Sequence, residues 1–224
     1  VNFLSHYYFE RFASVPEQVL GGLLPDLLKN VDKNYSFQLQ KLEQELSFHP
    51  KSKAITEGWH RHVEVDKLFH GSDFFYEHTH RIRKQIEHVV EDLPVRSSFL
   101  AHISLELLLD HLLIEQHVLN AGRLYEHLEA VDRKVLTVYL QQLGGVDIDR
   151  FFDFYDRFLQ SRYIFDYREM DNLPHALYSI CKRVWDFEVG SRHFEELSKQ
   201  LEEYKRNYLE NYREIYTFIQ DKIA

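Results

Sequence analysis

The sequence predicts an all-α fold, a multi-helix bundle in one domain. Apolar residues recur at helical spacing along nearly the whole chain, while β-type alternation is scarce. Only 8 Gly and 5 Pro occur in 224 residues, which favours few turns and long continuous elements. A composition of 44% hydrophobic and 28% charged residues is that of a soluble globular chain with a core of ordinary size.

In chain order the pattern predicts helices over Asn2–Phe12, aromatic-rich, and Glu17–Leu28, whose Pro25 suits a first helical turn. Ser36–Leu46 and Ile55–Phe69 follow, the second rich in histidine. Next come Phe74–Val90 and the strongly apolar Phe99–Leu119, which Ser98 is placed to cap and Asn120–Gly122 to end. Leu124–Leu143 and Ile148–Arg162 are separated by Gly144–Gly145. Leu173–Val184 holds Cys181 on an apolar stretch, and Arg192–Ile223 has Ser191 as its cap. No long linker or internal repeat interrupts the series, so residues 1–224 are expected to form one domain. Residues 191–224 are expected to be a peripheral C-terminal helix that covers the core, or alternatively a partner surface.

Composition also excludes. A formal charge of −9 argues against nonspecific nucleic-acid binding, which needs a basic surface. One cysteine forbids an internal disulfide, and neither a signal peptide nor an apolar run of spanning length is read. A cytoplasmic setting without a membrane span is the expectation. Phosphate-cradling glycine loops, nucleophile elbows and zinc-type cysteine pairs are missing from the sequence.

The 14 histidines are numerous, and most suit exposed positions. Those in "WHRHVEVDKLFH" are different. At about 100° per residue, Ile55, Trp59, Val63 and Phe69 share a face with Val65 at its edge, and His62, Asp66 and His70 run down the middle. His60 falls on the solvent side with Arg61, Glu64 and Lys67. A buried carboxylate needs a partner, and either a histidine or a metal would serve. In "FLAHISLELLLDHLLI", His102, Glu106 and Asp110 repeat the four-residue spacing among leucines. Two acids one turn apart on a buried face repel unless a cation lies between them or one stays protonated. Facing helices that carry His and carboxylate ligands are how helical folds build metal sites. His111 projects towards Ser104 and Glu115, the wetter side. His6, in "NFLSHYYF", and Asp26, in "GGLLPDLLKN", are further candidates. A core histidine and a helix N-terminal acid are their ordinary readings.

These residues lie in motifs that resemble the acyl-carrier-protein phosphodiesterase family. "NFLSH" is similar to its N-terminal motif and "GLLPDLLKN" to its Leu-Leu-x-Asp segment. His60-x-His62-x-x-x-Asp66 matches its His-x-His-x-x-x-Asp spacing. "LELLLDHLL" resembles its acidic segment, with Glu106 and Asp110 on the acidic positions and His111 on the histidine. "YREMD" followed by "LYSICKR" resembles a downstream segment. The matches run in order over nearly the whole chain. His70 stands where an acid is expected, and Leu109 where tryptophan is expected.

The resemblance implies a helical fold distantly like the HD-type phosphohydrolases. It implies a divalent metal, manganese first, with magnesium or iron(II) as alternatives. The implied activity cleaves the phosphodiester between phosphopantetheine and a serine of holo-acyl carrier protein. The expected metal ligands are His62, Asp66, Glu106 and Asp110, joined by His6 and Asp26. His102 or His70 would orient water or protonate the leaving group, and Arg168 would clamp phosphate beside Asp171. His60 and His111 would touch substrate at the rim. "HRIRKQIEH" (residues 80–88) and Lys182–Arg183 are basic docking candidates for an acidic carrier protein. A small-phosphoester hydrolase and a non-catalytic helical binding protein are the alternatives.

Overall fold

Helices account for all the regular structure in a computed structural model that describes residues 1–42, 46 and 49–223; no strand occurs among them. The α-helices are α1 (Phe3–Glu10), α2 (Pro16–Gly21), α3 (Leu24–Val31), α4 (Pro50–His70), α5 (Asp73–Ile86) and α6 (Ser97–Glu115). They continue as α7 (Ala121–Glu129), α8 (Arg133–Leu143), α9 (Ile148–Ser161), α10 (Leu173–Cys181), α11 (Ser191–Tyr208) and α12 (Arg213–Ile223). The all-α expectation is met.

Several expected helices are divided, each for a local reason. Glu17–Leu28 becomes α2 and α3. Pro25 has no N–H for the Gly21 carbonyl and its ring crowds that oxygen, so the helix restarts. Leu124–Leu143 becomes α7 and α8 because the Asp132 side chain accepts from the N–H groups of Lys134 and Val135, opening a new helix. The single C-terminal helix is two, α11 and α12, broken after Tyr208. Of Ser36–Leu46 a short 3-10 turn at Leu39–Lys41 is present, and residues 43–45 lie outside the described set. The cap expected at Ser98 is at Arg96, and Asn120 caps α7 through the Gly122 N–H rather than closing α6.

By contacts the chain divides into two compact units. One comprises His6–Asp66 and Leu119–Tyr163; the other comprises Val1–Ser5, Lys67–Val118 and Ile164–Ala224. The sequence shows no linker because the divisions at residues 5–6 and 66–67 fall inside α1 and α4, where no Gly-, Pro- or Ser-rich stretch marks them.

The first unit is organised by a close helix crossing. A Cβ on Gly58 of α4 would collide with the Gln18 carbonyl oxygen and lie 2.7 Å from the Gly22 nitrogen. A Cβ on Gly21 would collide with the Ile55 carbonyl oxygen and lie 2.9 Å from its Cα. Only hydrogen at both positions lets the α2 and α4 backbones touch. This crossing sets the buried face of α4 around Gly58, Ile55, His62 and Val65. Val63, expected inside, is 52% exposed, and Val65, expected at the edge, is fully buried.

The second unit is built round α6, which is buried on nearly every side from Leu100 to Ile114 and packs against α5, α10 and α11. By length and composition α6 is apolar enough to cross a membrane, with 67% of its apolar window buried in the structure. The C-terminal helices do more than cover the core. Tyr204, Tyr212 and Tyr216 are buried, and the Tyr216 hydroxyl lies 2.7 Å from Ser5 Oγ.

Candidate metal centre

Two groups of His, Asp and Glu side chains are arranged so that each could hold a metal ion. The first lies wholly within the unit formed by His6–Asp66 and Leu119–Tyr163. α1 supplies His6, and α4 supplies His62 and Asp66 one turn apart; Asp26 of α3 lies beside this group. His6 Nε2 is 3.4 Å from Asp66 Oδ1 and 3.9 Å from Asp26 Oδ2. His62 Nε2 is 3.6 Å from Asp66 Oδ2 and 3.9 Å from Asp26 Oδ1. Two imidazole nitrogens and two carboxylates therefore converge.

Both rings are held in place. His62 Nδ1 donates to the Gly22 carbonyl at 2.9 Å, which turns Nε2 towards the acids. His6 stacks on His62, with centroids 3.7 Å apart. Although His6 is buried, neither of its ring nitrogens has a hydrogen-bond partner among the described residues. Buried polar atoms are nearly always paired, so this ring is poised for something besides protein. Burial, helped by the adjacent His62, pushes His6 down to about 3 against the pull of Asp66. Its imidazole is thus neutral near neutral pH, the form that binds metals. Burial works to raise the Asp66 carboxyl, but His6 and His62 hold it below the usual range. The histidine side chains form the floor, 1% and 5% exposed, while Asp26 and Asp66 are about one-third open to solvent at 32% and 34%. The donor set and its orphaned imidazole fit a divalent cation with a solvent-facing side.

The second group lies wholly within the other unit. His70 Nε2 and His102 Nε2 are 3.2 Å apart, and Glu106 Oε1 is 3.2 Å from the former and 2.9 Å from the latter. The expected catalytic pair His70 and His102 thus gathers with the expected ligand Glu106.

Asp110 joins neither group, which corrects its expected role as a ligand. It is fully buried, and it accepts from the N–H groups of Leu4 at 3.0 Å and Ser5 at 2.8 Å, and from Ser5 Oγ at 2.6 Å. Its carboxyl ties the N-terminal turn of α1 to α6. Burial pushes it up to about 7 against those three bonds.

His111 is also corrected. It is buried rather than on a wet side, donating from Nδ1 to the Tyr167 carbonyl at 2.9 Å, with Lys205 Nζ 3.3 Å from its Nε2. Burial pushes its ring down. Ser104, taken as part of that wet side, is itself fully buried. His60 is half-buried. Arg168 and Asp171 are exposed, and Asp171 accepts from Ser198 Oγ at 2.7 Å. In the basic run of α5, Arg81 pairs with Glu77 and Arg83 with Glu87, which reduces its net charge.

Residues outside the sequence-based candidates also shape the first group. Gly22 accepts from His62 Nδ1, Gly21 and Gly58 make the backbone crossing beside it, and the only sequence signal for them is glycine within apolar helical stretches. No family model, curated protein or solved structure matches the chain.

Proposed function

We propose that the chain is a divalent-metal-dependent phosphodiesterase centred on His6, Asp26, His62 and Asp66. Its proposed substrate is the phosphopantetheine–serine phosphodiester of holo-acyl carrier protein. The observation that carries the metal-dependent reading is the convergence of His6, Asp26, His62 and Asp66, with neither ring nitrogen of buried His6 hydrogen-bonded among the described residues. The substrate rests on the resemblance of "NFLSH", "GLLPDLLKN", His60-x-His62-x-x-x-Asp66 and "YREMD" to the acyl-carrier-protein phosphodiesterases. A manganese ion is the first choice there, with magnesium or iron(II) behind it.

A divalent ion at this site supplies the charge that polarises a phosphoryl group and acidifies water. The chain's own groups make that chemistry available. His6, neutral near neutral pH, and His62 present ring nitrogens from a dry floor. Asp26 and Asp66 bring negative charge to balance the cation, and their partial exposure leaves the approach to substrate open. Water adds at phosphorus, and the serine oxygen leaves and takes a proton. The products are apo-carrier protein and 4'-phosphopantetheine.

His70 and Leu109 depart from the pattern of the resembling family, which favours a second reading: the same hydrolysis on a nucleotide or other small phosphoester. Incubation of the manganese-loaded chain with holo-carrier protein, followed by intact-mass measurement, tests the first. The expected result is loss of the phosphopantetheine mass, abolished in His62→Ala. An unchanged holo mass together with turnover of a small phosphoester selects the second reading. An absence of turnover on both rejects the enzyme and leaves a helical binding protein.

A further inference from the structure

We infer that His70, His102 and Glu106 form a second metal site that takes a first-row transition ion, zinc or iron(II) in class, separately from the first group. The three ligand atoms make a nearly equilateral triangle with sides of 3.2, 3.2 and 2.9 Å. Atoms bound about 2.1 Å from one ion at octahedral or tetrahedral angles are about 3.0–3.4 Å apart. The triangle therefore has the dimensions of one face of a coordination shell.

The Val1 nitrogen also lies 3.2 Å from Glu106 Oε1. If both imidazoles donate to that oxygen as well, two N–H groups face each other across 3.2 Å. A cation beside the triangle engages all three lone pairs at once.

Local structure supports the arrangement. His102 and Glu106 are one turn apart on α6, and His70 is the last residue of α4. Phe75 stands edge-on to both rings, with centroids 4.9 Å from His70 and 5.0 Å from His102, and Phe69 packs edge-on to His70 at 5.2 Å. Apolar walls of this kind limit solvent access and lower the local dielectric. His102 is 40% and His70 33% exposed, so an ion there would keep open positions for water or an anionic ligand. Two imidazoles and one carboxylate suit transition ions, whereas the two-acid first group is the harder site.

The experiment is zinc titration of the chelator-treated full chain, read by calorimetry and elemental analysis. The chain is expected to take two equivalents, and His102→Ala and His62→Ala one each, of different affinity. Because His102 is partly exposed, its truncation is compatible with folding, checked by circular dichroism. Glu106→Gln preserves side-chain size, and is expected to weaken the second equivalent by more than about 100-fold, since even outer-shell changes cost 10–100-fold. Unchanged stoichiometry in His102→Ala, or loss of both equivalents from that variant, overturns the proposal. Neither result depends on phosphodiester hydrolysis, so failure of the enzymatic reading would leave this one standing.

Discussion

His62 Nδ1 donates to the Gly22 carbonyl across 2.9 Å, and Gly22 directly follows the glycine that touches the backbone of α4. The orientation of a proposed ligand is therefore set by a helix crossing that tolerates no side chain. Gly58→Ala should lower stability by about 1–3 kcal/mol, the usual range for overpacking, and should also weaken manganese binding. Chemical denaturation and metal titration check both. Gly190→Ala, where a Cβ meets nothing within 4 Å, is the control. Equal behaviour of the two variants would mean that the crossing does not support the site.

Metal binding to the folded chain should raise its stability by mass action, by about 2.7 kcal/mol at 100 times the dissociation constant. Manganese is expected to raise the thermal midpoint of the unmodified chain, and a chelator to reverse the gain. Asp26→Asn, at a partly exposed carboxylate, should fold normally yet lose most of that gain. An unaltered manganese response in that variant would remove Asp26 from the ligand set.

Glu10 carries a pH signature separate from the metal groups. It is 3% exposed, and burial pushes it up to about 7, partly offset by the 2.7 Å bond from Gln18 Nε2. Between its ordinary value of 4.5 and about 7 the folded state holds a proton that the unfolded state has released. This contribution to stability is therefore present at low pH and declines as pH rises through that window. Glu10→Gln should raise stability above pH 8 by roughly 1–3 kcal/mol and flatten this part of the profile. Denaturant midpoints measured from pH 4 to pH 9 provide the test; parallel profiles for variant and parent would contradict it.

Asp110→Ala separates a structural carboxyl from a ligand. It strands the Leu4 and Ser5 N–H groups in a buried setting, so stability should fall by about 2–4 kcal/mol. Manganese and zinc stoichiometry should stay unchanged. A lost equivalent of metal, measured on protein shown to be folded, would restore Asp110 as a ligand.

The four-residue spacing of His62, Asp66 and His70 told which polar groups on α4 face inward, because one helical turn keeps them in line. It misjudged Val63 and Val65, since the position of the buried face depends on Gly58 meeting α2. On α6 the same spacing grouped His102, Glu106 and Asp110, yet three donors from the chain's first residues draw Asp110 away. His111 looked wet beside Glu115, but Tyr167 and Lys205 come from more than fifty residues away. Helix breaks at Pro25 and Asp132 were legible in principle, through a missing donor and a capping carboxylate. The apolar periodicity continuing across them masked both.

By itself the sequence determined the all-helical class, the two histidine- and acid-bearing helices and the polar rows on them. Those follow from periodicity, a property of neighbours in the chain. Only the tertiary structure decided that His6 and Asp26 meet His62 and Asp66, that His70 joins His102 and Glu106, and that Asp110 caps a turn. A ligand set closes in space between segments far apart in sequence, and its distances depend on how nearly the backbones approach, which glycine contacts and buried donors control.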